Sequence, residues 1–222
     1  MTGKLIVIDG ADGSGKATQS KLLVERLGSE GKKVKTLDFP QYTANHFGRL
    51  LRECLDGHRG DFLELDPRIA STIYAADRFE SAETIRQWLE DGVVVILDRY
   101  VSSNMLHQGG KIHDEEELQD FLEWLDAMEH SVFKIPRPDL ILYLEVPYSF
   151  RQKMLFVDKS RTHLDVVETH EAYQLAAETN AKRLTAKLNN WQTIVCSDKD
   201  TLLPIEAIHE LVYEAIRETL AG

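Results

Sequence analysis

Cysteine is scarce: Cys54 and Cys196 are the only two in 222 residues. They stand far apart with no C-x-x-C, which argues against a disulfide-stapled scaffold and suits a reducing compartment. Long apolar runs are missing too. No stretch approaches the roughly 20 residues that a membrane-crossing helix needs. The N-terminus enters an apolar strand at Leu5 without the lead-in and cleavage site of a secretory leader, so the expected location is the cytoplasm and no membrane partner is expected. Positive charge is the third shortage. Lys and Arg number 26 against 37 Asp and Glu, a net charge of −11. That argues against a nucleic-acid polymer as partner, since such proteins present a basic face to displace counterions. A single nucleotide in a local basic pocket remains open. The eight histidines fall in no H-E-x-x-H or comparable spacing, and no G-x-S-x-G occurs, so zinc chemistry and serine-type acyl transfer have no signature here. Repeats and low-complexity tracts are absent.

What the chain does have is the apolar run Leu5-Ile6-Val7-Ile8 leading into Gly10-Ala11-Asp12-Gly13-Ser14-Gly15-Lys16-Ala17-Thr18. A buried strand, a glycine-rich turn and a helix opening near Lys16 are the context of a phosphate-binding loop. The glycines let backbone N–H groups turn inward around a phosphate, and the helix adds its free N–H groups and positive dipole end. Lys16 reaches the outer phosphates. The spacing G-x-x-x-x-G-K is intact, but Ala17 stands where Ser or Thr is usual, and Thr18 supplies a hydroxyl one residue later.

Strands and helices alternate from there on. The first helix carries Leu22, Leu23, Arg26 and Leu27 and ends near Gly28 or Gly31. Lys33 to Phe39 forms a second strand that Pro40 stops. Helical spacing runs from Thr43 to Leu55, and Asp66-Pro67 opens another helix with Pro at its first position. Ala82 to Leu89 continues or restarts that helix. Val93 to Leu97 is apolar throughout, as a central parallel strand covered on both faces should be. An acidic start at Asp114 to Glu117 leads a helix with Leu118, Phe121, Leu122, Leu125 and Met128 inward. Leu140 to Val146 is a fourth strand and Thr193 to Cys196 a fifth, with a helix from about Glu171 to Leu188 between them and a last helix through Ile205, Ile208, Val212 and Ile216. The expected fold is α/β: one domain over 1–222, a five-stranded parallel sheet with helices on both faces, ligands gathered at the strand carboxyl ends.

Polar constellations sit at those ends. Asp98-Arg99 closes the central strand; a carboxylate there can hold magnesium through water, and an arginine can fork onto a phosphate. Tyr74 and Arg78, four apart on one helix face, can stack and hydrogen-bond a base, or form an ordinary snorkelling core edge. Residues 149–170 are polar, charged and poorly periodic, and Lys153, Lys159, Arg161, Asp165 and Glu168 could close over transferring phosphates or be a solvated charged loop.

Together these residues resemble the thymidylate kinases, within the nucleoside monophosphate kinases. The resemblance runs over nearly the whole chain: the loop G-A-D-G-S-G-K-A-T-Q, Phe39-Pro40, Tyr74-Ala75-Ala76-Asp77-Arg78, G-V-V-V-I-L-D-R-Y at Gly92 to Tyr100, and P-R-P-D-L-I-L-Y-L at Pro136 to Leu144. It implies transfer of the γ-phosphoryl group of ATP to dTMP, with Mg2+, by a homodimer whose partners are otherwise small nucleotides. By position, Gly10 to Thr18 wrap the ATP phosphates and Lys16 stabilises the group in flight. Asp12 faces the acceptor's sugar and phosphate, Arg99 grips that phosphate, and Asp98 organises Mg2+. Tyr74 stacks on the base, Arg78 addresses it, and Asn104 and His107 lie near it. Residues 149–168 match a lid, with Arg161 as its catalytic cation and Lys159 second.

Four departures bear on the substrate. Ala17 removes a hydroxyl ligand to the metal, Tyr42 stands where an arginine for the acceptor phosphate is common, and Val166 replaces the arginine of D-R-x-E. Asn104 and His107 differ from the residues usual after D-R-Y. Arg49 is a candidate substitute for the arginine missing at Tyr42. Two other readings stay open: a kinase for another nucleoside monophosphate or a deoxynucleoside, and a catalytically silent nucleotide-binding protein.

Overall fold

The computed structural model describes residues 3–157, 170–199 and 201–221. Five parallel strands form its centre: β1 (Lys4–Asp9), β2 (Val34–Asp38), β3 (Val94–Asp98), β4 (Leu140–Glu145) and β5 (Trp191–Val195), in the spatial order β2-β3-β1-β4-β5. β1 has β3 on one side and β4 on the other, so the chain reverses its winding beside β1. That reversal opens a crevice at the strand carboxyl ends. The register brings those ends flush: Asp38 lies opposite Asp98, Asp98 opposite Ile8, and Asp9 opposite Tyr143. A short antiparallel hairpin, β6 (Ser197–Asp198) with β7 (Thr201–Leu202), follows the sheet.

The helices are α1 (Lys16–Ser29), α2 (His46–Leu55), α3 (Pro67–Glu90), α4 (Val101–His107), α5 (Glu115–Asp126), α6 (Tyr148–Val157), α7 (Glu171–Lys187) and α8 (Ile205–Ala221). Strand residues alternate between two cores because successive side chains point to opposite faces. Leu5, Val7, Val95, Leu97 and Ile141 pack with Ala82 and Ile85 of α3, Leu118 and Phe121 of α5, and Leu184 of α7. Ile6, Ile8, Ile96, Leu142 and Leu144 pack with Leu23 and Leu27 of α1 and Ile208, Val212 and Ile216 of α8. Both faces of β1 and β3 are thus apolar, which is why their sequences run hydrophobic without alternation. A smaller cluster of Leu51, Cys54, Leu55, Phe62 and Ala70 joins α2 to α3.

Local chemistry fixes the helix starts. Asp66 caps α3, its side chain accepting from the Arg68 and Ile69 N–H groups, with Pro67 at the first helical position. Asp114 caps α5 in the same way. α3 runs unbroken for 24 residues, so Ala82 to Leu89 continues it. α2 starts at His46, later than the spacing at Thr43 suggests, because Asn45 turns its amide to Asp77 and Ser81 instead of extending the helix. Gly48 lets α2 approach the preceding loop: a Cβ there would sit 2.0 Å from the Gln41 carbonyl oxygen.

Several short elements lie outside the sequence expectation. α4 has only seven residues and too short a pattern to announce itself. A π-helical turn, Ala127–Val132, continues α5. α6 occupies the start of the stretch expected to be an aperiodic lid; residues 158–169 of that stretch lie outside the described residues.

Leu97 is fully buried in the core under α3 and α5. Leu97→Ala is expected to destabilise the protein by about 2–5 kcal/mol, measured by urea unfolding with an unchanged m-value. A loss below about 1 kcal/mol would contradict the packing described.

Candidate active site

The turn between β1 and α1 is shaped by three glycines of positive φ: Gly10 (154°), Gly13 (78°) and Gly15 (86°). At Gly10 a Cβ would come within 2.6 Å of Ser14 Oγ and 3.0 Å of the Leu144 carbonyl oxygen. Gly15 also stands at the helix cap and gives α1 no side-chain partner for its first N–H groups. Those groups remain available to an anion. Lys16 is buried, and its Nζ donates to the Ala11 carbonyl at 3.0 Å. The Ser14 N–H closes the turn onto the same carbonyl at 3.1 Å. Ala17 and Thr18 are exposed.

Charged groups from four elements converge on this turn. Asp9 is fully buried, one oxygen accepting from the Gly10 N–H at 2.8 Å. Its other oxygen accepts from the hydroxyls of Ser102 at 2.5 Å and Ser103 at 2.8 Å on α4. Arg99 follows β3 in the left-handed region, at φ 65°, and its N–H still donates to Ile8 at 3.1 Å. Its guanidinium is thereby turned over the loop, where it donates to Asp12 Oδ1. Gln174 of α7 donates to Asp12 Oδ2 at 2.9 Å. Arg151 of α6, also buried, donates to the carbonyls of Val146 at 3.0 Å and Asp12 at 3.4 Å, to Gln174 at 3.3 Å and to Glu178 at 3.0 Å.

The electrostatics follow from this crowding. Burial alone would raise the Asp12 carboxyl, but Arg99, Lys16, His107 and the Gln174 bond together hold it below the usual carboxylate range. Burial and the Arg99 guanidinium push the Lys16 ammonium down to about 8, against the pull of Asp12, Asp98 and Asp9. Asp98 is raised by burial, which outweighs Lys16 and Arg99. Its Oδ1 is a buried oxygen with no hydrogen-bond partner among the described residues. His107 stacks on Tyr173, ring centroids 5.6 Å apart and 8° from parallel. Its Nε2 lies 3.4 Å from Arg99 Nη1. Arginine only donates, so Nε2 accepts and the ring proton sits on Nδ1. Burial and Arg99 hold the imidazole neutral, down to about 4.

A second cluster lies between α3, α4 and the π-helical turn. Arg78 is buried, and its Nε and Nη2 fork onto the fully buried Glu129 while Nη1 donates to the Tyr100 carbonyl at 3.3 Å. Asn104 Nδ2 donates to Glu129 Oε1 and to the Ser71 carbonyl, both at 3.1 Å. Tyr74 is half-buried in the α2–α3 cluster, edge-on to Phe62 at 5.7 Å.

The structure therefore brings together Asp12, Lys16, Asp98, Arg99 and His107, and places Arg78 and Asn104 in a separate buried cluster. Tyr74 and Arg78 share α3, but Arg78 is anchored to an acid that the sequence reading did not name. Arg161, Lys159, Asp165, Val166 and Glu168 lie outside the described residues. Arg49, considered as a substitute for the arginine missing at Tyr42, is exposed and hydrogen-bonds His46. Tyr42 instead lies under the Arg52 guanidinium, 5.2 Å away. Sequence reasoning missed the roles of Asp9, Glu129, Arg151 and Gln174. Glu129 had one signal: it stands four residues after Leu125, on the inward face of the α5 pattern, where a carboxylate needs a partner.

A parallel sheet wound this way, a glycine loop opening α1, and an Asp-Arg pair on the neighbouring strand define a P-loop phosphotransferase of the nucleoside monophosphate kinase type. The family model described as Thymidylate kinase matches residues 8–212. A thymidylate kinase of Clavibacter sepedonicus is 36% identical over 174 residues, 78% of this chain and 76% of that one. A probable thymidylate kinase of Pyrococcus abyssi is 30% identical over the full length of both chains. The human thymidylate kinase is 29% identical over 94% of this chain and 87% of its own. Among solved structures, the thymidylate kinase of Candida albicans shares the fold with a TM-score of 0.76, at 23% identity, over 98% of this chain and 92% of that one. The chain belongs to the thymidylate kinase family.

Lys16 supplies a pH test. In the free protein its ammonium is lost as pH rises through about 8, so kcat/KM for ATP is expected to fall above that pH. Bound phosphates favour the ammonium, so kcat at saturation should hold to higher pH. Folding moves the other way: between about 8 and 10.5 the unfolded chain keeps a proton that the folded one has released, so the cost of burying this charge fades as pH rises. A kcat/KM profile flat from pH 7 to 9.5 would contradict the assignment.

Proposed function

We infer that the chain transfers the γ-phosphoryl group of ATP to the 5′-phosphate of dTMP, giving dTDP and ADP. The observation that carries this is the bridge between Asp12 and Arg99 beside Lys16. It sets a cation for an acceptor phosphate against the loop that cradles a donor phosphate. Phosphoryl transfer asks the protein for alignment and charge stabilisation, not covalent chemistry. Gly10 to Thr18 and the free N–H groups opening α1 hold the ATP phosphates, and Lys16 stays with the γ-phosphoryl group as charge spreads over its oxygens. Arg99 grips the dTMP phosphate. Asp12, kept ionised, orients that guanidinium and faces the sugar. Arg78 and Asn104 are assigned to the base with Tyr74 near them on α3, His107 lies at the Arg99 end of the site, and Arg161 is assigned as the lid cation.

The residues present also fit Mg2+. Asp98 Oδ1 is a buried carboxylate oxygen without a hydrogen-bond partner among the described residues, at the end of the strand beside the loop. It would hold the ion through water; a bound Mg2+ neutralises charge on the donor's outer phosphates. Exposed Ala17 offers no ligand, which a water-held ion does not require. We also place the protein in the cytoplasm as a homodimer, with the exposed Phe79 and Ile69 of α3 as apolar surface for a second copy. No helix among the described residues is long and apolar enough to cross a membrane.

The test is ADP formation with ATP and Mg2+ against dTMP, dUMP, dCMP, dGMP and thymidine, for the wild type and Lys16→Met. Strong preference for dTMP is expected, and Lys16→Met should abolish turnover with an unchanged circular dichroism spectrum. Preference for another acceptor would reassign the nucleoside pocket, and full activity in Lys16→Met would remove the loop from the mechanism.

A further inference from the structure

We propose that Glu129 is a positioning residue for base selection: it fixes the Asn104 carboxamide with its oxygen toward the acceptor base and holds Arg78 beside it. The inference rests on the dTMP reading above.

Glu129 is fully buried on the π-helical turn after α5. Buried ion pairs contribute little net stability compared with apolar packing, so an acid kept here calls for another reason. Its carboxylate ties the Arg78 guanidinium to the Asn104 carboxamide. Oε2 accepts from Arg78 Nε at 2.8 Å; Oε1 accepts from Arg78 Nη2 and from Asn104 Nδ2. Including the bond to Tyr100, three of the five guanidinium N–H groups are used.

The amide is the informative part. Both Nδ2 hydrogens of Asn104 have acceptors, the Ser71 carbonyl and Glu129 Oε1. Flipping the amide would set its oxygen against two acceptor oxygens, one of them charged. The nitrogen is therefore locked inward, and Asn104 Oδ1, which accepts from no described residue, is a fixed acceptor. The pocket edge then reads as a guanidinium donor beside an amide acceptor. Thymine matches it, with O4 to accept and N3–H to donate. Cytosine reverses both positions, presenting an amino donor and a bare N3, and leaves like groups facing each other.

Glu129 sets this polarity from beneath, without touching the base. With glutamine in its place, the amide oxygen would turn to Arg78 and the NH2 to Asn104. Asn104 would then keep only the Ser71 carbonyl to hold its nitrogen inward, so the orientation is no longer doubly fixed and the NH2 can be offered to cytosine N3.

The experiment compares wild type and Glu129→Gln by kcat/KM for dTMP and dCMP and by KM for ATP, with folding checked by circular dichroism. The expected result is a fall of at least tenfold in the dTMP:dCMP ratio, carried by dTMP KM, with ATP KM within twofold. An unmoved ratio, or equal rises in both KM values, would overturn the proposal. Should Glu129→Gln fail to fold, Glu129→Asp keeps a charge opposite Arg78 but ends one methylene short of Asn104. It should lower the ratio severalfold, and an unchanged ratio would overturn the proposal. Loss of folding in both variants would also overturn it, making the acid a structural staple. Wild type that does not phosphorylate dTMP removes the functional reading and this inference together; wild type that does, with an unmoved ratio, removes this inference alone.

Discussion

The contact between Asp12 and Arg99 joins two strands' worth of structure into one site. Asp12 belongs to the loop after β1, and Arg99 to the turn after β3. Neither position works without the flush register that sets Ile8 opposite Asp98. A buried charge pair is costly to desolvate and survives when further hydrogen bonds satisfy it. Here Gln174 donates to the carboxylate and Arg151 to the Asp12 carbonyl, so α6 and α7 are tied to the same loop. The left-handed backbone at Arg99 belongs to this arrangement, because it turns the guanidinium over the loop while the N–H stays in the β1–β3 ladder.

The excess of negative side chains in the chain makes the local balance more telling. Around the loop, Asp9, Asp12 and Asp98 meet Lys16, Arg99 and Arg151, and a neutral His107 adds no charge. Glu178 also pairs with Arg151, so the site carries no excess of cations before substrates arrive, and two nucleotides bring a large negative charge. Cations fixed in a dry pocket can stabilise that charge without reorganising. Asp9, held by two serines of α4 and a backbone N–H, fastens α4 to the end of β1. Asn104, on the same short helix, bonds Glu129, and the carboxylate partner of Arg78 is thereby held near α4. In the proposed mechanism the phosphate and base ends of the site share this seven-residue helix.

Much of this was legible in the sequence, for physical reasons. β1, β3 and β4 announce themselves because strands covered on both faces are apolar at every position. The phosphate loop announces itself because positive φ at Gly10, Gly13 and Gly15 demands glycine. α3 was readable from its Asp-Pro cap. What could not be read depends on distant partners. α4 is too short for a periodic signal and depends on bonds to Asp9. Gln174 meets Asp12 across 162 residues, with no local pattern to mark it. Glu129 looks like one more acid in a chain rich in them, and only its inward position after Leu125 sets it apart. Arg78 was placed correctly on its helix face, but its partner came from a π-helical turn that spacing rules do not foresee.

In the proposed mechanism Asp12 acts on the acceptor through Arg99. A double-mutant cycle on dTMP affinity tests it most directly, with Asp12→Asn, Arg99→Gln and the double variant measured by titration calorimetry. Without Arg99 the Asp12 carboxylate confronts the dTMP phosphate unshielded, so Arg99→Gln should cost clearly more when Asp12 is present than when it is Asn. The expected coupling is about 0.5–3 kcal/mol. Effects that add within about 0.3–0.5 kcal/mol would mean the two residues act independently and would contradict it.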